Sequence, residues 1–596
     1  MQAQVSTDSR IPSSPPPSSV TSPQAPPVPT SDLLAQLRQI VGAPHLHTSE
    51  QSTYRYRKGF RFGNGPVEAV VLPGNLVELW QVAQACVQAG RILIMQAANT
   101  GLTGGSTPDG SYDRPVVLIN TRRLKGIHLL GDGKQVVCLP GSRLHELEAL
   151  LAPLGREPHS VIGSSCLGAS VLGGVSNNSG GALVQRGPAF TQMALFGQVN
   201  AQGKLELVNH LGIKLPGNPE EILRKLEAGT FSPEDIDWHA GAGHDANYIK
   251  RVRDVEADTP ARYNADPEQL YEASGNAGRL VVFAVRLDTF PATKNSRVFY
   301  IGSNSTETLE KIRHALLTKF DEIPIAGEYL HRDIFDIADR YGRDTTAIIR
   351  LLGTKYLPLL FDIKARVDAL GEKYPFIPRS MGDRTLQFLS RFLPRQVPPR
   401  IEDYHKRYEH HLLVRTSPEL GEKLAPWLEK FFASDENGKD GGFFECTPQE
   451  GNLAFLHRFA AAGAAERYVA IHREKVGGIV ALDIALRRND RNWFEHLPKA
   501  IADKLELKLY YGHFLCHVLH QDYVVKKGYD PMEVKAEMLV ELNKRGARYP
   551  AEHNVGHLYH APEEMVDHYR KLDPCNCLNP GIGKTTKLRN WRAESA

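Results

Sequence analysis

Two glycine-rich segments constrain this chain more than anything else in it. The first, AANTGLTGGS from Ala97 to Ser106, follows an apolar run, ILIM, that reads as a strand. The second, VIGSSCLGASVLGGVSNNSGG, places six glycines between residues 163 and 181, where average usage of ~7% would give one or two. Glycine lets the backbone turn freely and approach a bound group closely, so both segments point to a ligand met by main-chain amides. In the first, the Thr100 and Ser106 hydroxyls add donors that suit a pyrophosphate. Neither G-x-x-x-x-G-K-[ST] nor G-x-G-x-x-G occurs there, which argues against a nucleotide-hydrolysing loop and against a Rossmann site. One large cofactor shared by the two segments is the better account.

The stretch VEAVVLPGNLVELWQVAQACVQAGRILIM, ahead of the first loop, predicts a βαβ unit whose helix opens at Asn75 and closes at Gly90. An earlier helix is predicted over SDLLAQLRQIVG, capped by Ser31 or Asp32 and stopped by Gly42. Residues 1–30 carry a Pro and Ser tract that is expected to be a disordered leader. With 596 residues, 41% of them hydrophobic and 23% charged, the chain should form two to four globular domains. A net charge of +3 gives no field for nucleic acid, so no nucleic-acid partner is expected. No apolar run approaches the ~18 residues of a membrane span, and no secretory signal is apparent. The seven cysteines are scattered, which favours a reducing compartment, and the closest pair, Cys575 and Cys577, has no zinc-ribbon spacing. Between residues 350 and 400, ten Lys and Arg face four Asp and Glu. Leu357, Leu359, Leu360, Phe361, Phe376, Ile377, Phe388, Leu389, Phe392 and Leu393 are interleaved with them, the pattern of a membrane-surface element. An ordinary amphipathic region with a solvated basic face fits the composition equally well.

Read with the βαβ unit, the glycine segments resemble the flavin domain of the vanillyl-alcohol-oxidase-type (PCMH-type) flavoproteins. The strings REPHSVIGSSC, NNSGG, LVQRGPAF, RVRDVEADTPARYNADP, EYLHRDIFDIA, FLHRFAAAGAA and YPAEHNVGHLY are similar, more narrowly, to the bacterial respiratory, quinone-linked D-lactate dehydrogenase family. The resemblance runs from about residue 31 to the end. It implies an α+β fold: a PCMH-type FAD-binding domain over 31–290 completed by 545–596, a cap over 291–330 and 408–544, and a basic, mostly helical membrane-contact insertion over 331–407. It also implies non-covalent FAD on Ala97, Ala98, Asn99, Thr100, Gly101, Gly105 and Ser106, with Gly163, Ser170, Gly180 and Val282 as further contacts. The implied partners are D-lactate, a membrane quinone and an anionic phospholipid surface, on the cytoplasmic face of the inner membrane. A soluble FAD-dependent dehydrogenase or oxidase of another D-2-hydroxy acid is the alternative.

Oxidising a 2-hydroxy acid needs a base for the hydroxyl proton and a cation for the carboxylate. The AEHNVGH segment resembles the E-H-G-x-G element of FAD-linked 2-hydroxy-acid dehydrogenases, which makes His553, beside Glu552, the expected base. Asn554 stands where that element has glycine, so local geometry should differ. Arg458 lies where the wider family places its carboxylate-binding arginine. His513 and His520 are spaced like two metal-binding histidines of the related 2-hydroxyglutarate dehydrogenases, but FLCHVL fills the gap instead of G-D-G-N. A substrate-orienting or structural role is therefore expected of them, and no metal. The LDPCNCLNPGIGK segment resembles the superfamily's closing element, with Pro580 and Gly581 setting the turn.

Overall fold

The computed structural model describes residues 30–593 except 60, 160–167, 354–363, 365–366 and 368–379. The leader, Gly163, Cys166 and the apolar positions Leu357, Leu359, Leu360, Phe361, Phe376 and Ile377 lie outside the described residues. The first helix, Thr30–Val41, buries Leu33, Leu37 and Val41 on one side, as their spacing dictates. Asn75 caps helix Leu76–Gln88 by accepting from the Glu78 amide at 2.8 Å.

The predicted βαβ unit forms, but its two strands are not neighbours. Strand Val116–Asn120 lies between Ala69–Val71 and Ile92–Gln96 and runs parallel to both. A helix ~10 Å across covers two strand spacings of ~4.8 Å, so the crossover reaches over a middle strand supplied later in the chain. The outer edge of Ile92–Gln96 is covered from the far end of the chain. Leu93 donates to Cys577 O at 2.9 Å, and Asn579 donates to Leu93 O at 2.8 Å. A second, antiparallel sheet has the order Ile127–Leu130, Gln135–Cys138, Val281–Asp288, Met193–Val199, Leu205–Asn209.

The third sheet is antiparallel and seven-stranded, in the order Gly441–Glu445, Arg297–Ser303, His410–Thr416, Ala326–His331, Leu505–His513, Val518–Lys526, Val476–Ala485. Its side chains alternate between two faces. Phe299, Ile301, Tyr329, Leu412 and Val414 pack on one side with helices Thr306–Thr318 and Pro418–Phe432. Tyr300, Leu330, Leu413, Tyr511 and Val524 pack on the other, under helices Arg332–Tyr341 and Pro448–Ile471. The same period of two puts Glu328, His513, His520 and Asp522 on this second face.

Part of the segment 331–407, where the membrane-contact insertion is expected, packs against the large sheet. Helix Arg332–Tyr341 buries Ile334, Phe335, Ile337, Ala338 and Tyr341 against the sheet, and helix Pro399–Arg407 buries Ile401 in the same cluster. Those apolar residues belong to the cap's own core. What stands outside it begins with helix Arg343–Leu352 and includes helix Met381–Ser390. Arg467 of the long helix ties both down through Asp344 and Asp383. Among the described residues, no helix is long and apolar enough to cross a membrane.

Candidate active site

Strand register assembles a polar cluster on the second face of the large sheet. His513 pairs with Glu328 across one strand boundary; Tyr511, His520 and Asp483 form a row across the next two. His513 Nδ1 lies 2.6 Å from Glu328 Oε1, and its Nε2 lies 3.3 Å from Glu552 Oε2. The second Glu328 oxygen is 2.9 Å from Arg458 Nε, so this buried carboxylate holds both a histidine and the arginine. Arg458 also stacks over the Tyr511 ring at 4.6 Å, and Tyr511 donates to Asp522 at 2.8 Å.

The segment bearing Glu552 and His553 is laid along edge strand Val476–Ala485. Arg548 pairs with Ala485, and the Ala551 amide donates to Asp483 O at 3.1 Å. Asp483 Oδ2 then accepts from the Glu552 amide at 2.7 Å and lies 2.6 Å from His553 Nδ1; its other oxygen is 3.4 Å from His520 Nδ1. Arg262, fully buried, pairs with Glu552 and donates to Gly181 O at 2.8 Å. A Cβ at Gly180 would collide with the Glu552 carboxylate, so glycine is required there for the second glycine segment to meet this cluster. Asn554 substitutes for the expected glycine by bonding. Its Nδ2 donates to Asn177 at 2.7 Å, and its Oδ1 accepts from the Gly556 amide at 2.6 Å.

These contacts set the charges. Burial opposes an imidazolium at His513, yet Glu328 and Glu552 outweigh it and raise the ring's pKa to about 10. Burial likewise opposes charge on Glu328, Glu552 and Asp483, and their cationic neighbours hold all three below the usual carboxylate range. At His553 burial is again overcome by Asp483, and the pKa is raised. At His520 burial prevails and lowers it. Asp522 is pushed up to about 6, chiefly by burial. The ligand atoms of His513, His520 and Glu552 lie within 4.8 Å of one another, close enough for a metal ion. His513 Nδ1 is engaged by Glu328, and its Nε2 faces both Glu552 at 3.3 Å and His520 Nε2 at 3.4 Å.

The first glycine segment packs directly against this region. The His557 amide donates to Thr103 O at 2.9 Å, and Asn579 Nδ2 donates to Gly105 O at 2.8 Å. Ala97 O accepts from Asn120, and Asn99, at a left-handed φ of 56°, donates to Lys58 O at 2.9 Å. The Ser106 hydroxyl donates to Asn99 Oδ1 at 3.2 Å, so it braces the loop as well as facing any ligand. Among the described residues, no amide from Ala98 to Ser106, Thr100 included, donates to a protein acceptor, and the space beside Gly101 is open. Such a run of free amides fits a pyrophosphate. Ser170 and Val282 stand apart from the polar cluster. The Ser170 hydroxyl caps helix Val171–Ser176 by accepting from Gly173 at 3.0 Å, and the Val282 side chain is in the core with Leu144 and Leu147. Ser170 lines a recess with Gly174 and the buried His159, whose ring nitrogens have no hydrogen-bond partner among the described residues.

Five residues of the cluster were not indicated by the sequence: Glu328, Asp483, Arg262, Tyr511 and Asp522. Arg262 and Glu328 sit in strings with a family signal, RVRDVEADTPARYNADP and EYLHRDIFDIA, though neither was assigned a role there; Asp483, Tyr511 and Asp522 are made neighbours by sheet register.

Two family models match the chain, one described as an FAD binding domain over residues 67–208 and one as D-lactate dehydrogenase, membrane binding, over residues 298–591. A protein of Escherichia coli (strain K12) named quinone-dependent D-lactate dehydrogenase is 56% identical over 94% of this chain and 97% of its own. Proteins of the same name from Haemophilus influenzae and Corynebacterium glutamicum are 54% and 47% identical, over 94% and 93% of this chain and 99% and 97% of theirs. Among solved structures, p-cresol methylhydroxylase with substrate bound has a TM-score of 0.56 at 12% identity, over 93% of this chain and 96% of that one. Alkyldihydroxyacetonephosphate synthase has a TM-score of 0.54 at 12% identity, over 93% and 85%. These last two share the PCMH-type α+β fold.

Proposed function

The chain belongs to the quinone-dependent D-lactate dehydrogenase family, and from that membership we propose that it oxidises D-lactate to pyruvate and delivers the electrons to a membrane quinone. FAD is its cofactor, and when bound it supplies the acceptor for the hydride that leaves lactate C2. Non-covalent attachment is supported by the first glycine loop, which contains no histidine.

The observation that carries this reading is the pairing of His553 with Asp483 beside the Arg458–Glu328 pair in one buried cluster. With Nδ1 engaged by Asp483, His553 presents Nε2 as the base for the lactate hydroxyl proton, and Asp483 stabilises the imidazolium that results. Arg458, held at Nε by Glu328, keeps its terminal nitrogens for the lactate carboxylate. The His513–Glu552–His520 group fixes the position of the Glu552–His553 turn and orients the substrate. A visible spectrum of purified protein tests this reading: the flavin bands should bleach anaerobically with D-lactate and barely respond to L-lactate. A colourless protein that fails to take up FAD would remove it.

The membrane partner is read as an anionic phospholipid surface, at the cytoplasmic face of the inner membrane. Its support is an apolar patch outside the cap core: Leu351 is 76% exposed, Phe388 56%, Leu389 53% and Phe392 74%. Arg384 and Arg391 are exposed beside it. Large apolar side chains flanked by cations are suited to an anionic interface.

A further inference from the structure

The flavin unit sends one arginine of its own to the cap. Lys58 and Asn64 pair across a tight loop, closed by the Gly59 amide donating to Gly63 O at 2.9 Å. This loop lies on the first glycine segment: a Cβ at Gly104 would meet the Phe62 carbonyl oxygen at 2.7 Å. Arg61 extends from it to the long helix Pro448–Ile471, where its Nη2 is 2.7 Å from Glu466 Oε1. Arg458 stands on the same helix, about two turns earlier. The Arg61–Glu466 pair therefore joins the unit that holds the first glycine loop to the helix that supplies the expected carboxylate-binding arginine.

Sheet register and charge both put Arg61 beside the polar cluster. Asp522 lies two residues beyond His520 on its strand, on the side away from the Glu328–His513 pair. Tyr511 donates to Asp522 at 2.8 Å and carries the Arg458 guanidinium over its ring at 4.6 Å. Coulombic influence falls with distance. The positive charge of Arg61 opposes the rise in pKa at Asp522 and at Tyr511, as that of Arg458 does, and it also works against protonation of His553. Two guanidiniums thus act on the same buried tyrosine and aspartate, one of them also on the expected base. They differ in how they are held. Arg458 is gripped at Nε by the buried Glu328, whereas Glu466 has a side chain 40% exposed. An ion pair that solvent reaches is weak, so an anion offering better geometry can take the guanidinium from it. A carboxylate between two planar forks, beside buried Tyr511 and Asp522, is such an anion. We propose that Arg61 is a second substrate-binding cation: Glu466 holds it until lactate draws it over, and Arg61 and Arg458 then grip one carboxylate while His553 takes the hydroxyl proton. The inference rests on the D-lactate reading above and deepens it, because the flavin unit itself then recognises the substrate and lactate ties it to the cap.

The test titrates the oxidised, FAD-loaded enzyme with oxamate, an unreactive monocarboxylate of lactate's size, and follows the flavin absorbance. Arg61→Gln should weaken oxamate binding about tenfold or more, the worth of a hydrogen bond to a charged group. Arg61→Lys, which keeps the charge and loses the fork, should weaken it less. Glu466→Gln frees Arg61 and should strengthen binding about two- to fivefold, the worth of one solvent-reached ion pair. The opposite signs matter, because a pair that merely latched the two domains together would lose binding when either partner is changed. Flavin content reports that each variant is folded. A Glu466→Gln enzyme that binds oxamate no better than the parent overturns the proposal, and so does an Arg61→Gln enzyme that binds it as well as the parent. Anaerobic D-lactate on the parent is the control: flavin that it fails to bleach would instead sink the D-lactate reading.

Discussion

At the scale of single residues, the site rests on which carboxylate each histidine and arginine meets. His553→Gln should leave flavin content intact and slow anaerobic flavin reduction by ~10² to 10⁴, the usual worth of a positioned base; stopped-flow absorbance measures it. Arg458→Ala should act mainly by raising the D-lactate concentration needed for half-maximal reduction. The base must be unprotonated to act, and Asp483 raises its pKa, so flavin reduction should switch on with rising pH at an apparent value above 6.5. Asp483→Asn removes the charge that favours imidazolium. The acid limb should therefore move to lower pH while the plateau falls, and a limb that stays in place would detach Asp483 from His553. Glu552 and His553 were legible in the sequence because their element is contiguous. Glu328 and Asp483 were not, because a lone carboxylate in EYLHRD or ALDIAL gains meaning only when strands 185 residues apart, as at Glu328 and His513, lie side by side.

Among elements, helix Met381–Ser390 shows what composition alone leaves open. Basic and apolar residues were interleaved in the sequence, but helical phase decides which of them face outward. Gly382, Asp383, Gln387 and Ser390 are buried while Phe388 and Leu389 are exposed. Arg395, counted with the membrane cations from sequence, is engaged by Glu402 and Asp339. Anionic vesicles should therefore bind the parent at low salt and lose part of it as ionic strength rises, since salt screens the arginines but not the insertion of Phe388 and Phe392. Phe388→Ser with Phe392→Ser should make binding fully salt-reversible, whereas Arg384→Glu with Arg391→Glu should weaken it at low salt. Flotation that is identical for both pairs and the parent would return this region to an ordinary solvated face. The βαβ unit was readable because local periodicity encodes it. The insertion of Val116–Asn120 between its strands was not, because no local pattern carries strand order.

For the molecule as a whole, the flavin unit is closed by residues far along the chain from the loop they meet. Asn579 donates to Gly105 O at 2.8 Å and to Ala277 O at 2.7 Å, joining the tail to the first glycine loop across 474 residues of sequence. Asn579→Ala would leave both buried carbonyls without that partner, at about 1–3 kcal/mol each. FAD should then be released several degrees earlier on heating, as read by the rise in free-flavin fluorescence; release at the parental temperature would show that the tail is dispensable for the loop. The resemblance of LDPCNCLNPGIGK to a closing element was visible in the sequence, but the edge it closes was not. A ribosome exposes the first glycine loop long before it has made Leu578, so the pyrophosphate cradle spends most of synthesis with one wall missing. Cofactor loading must on this account wait for the segment around Leu578 and Asn579, and a chain from which that segment is deleted should be colourless.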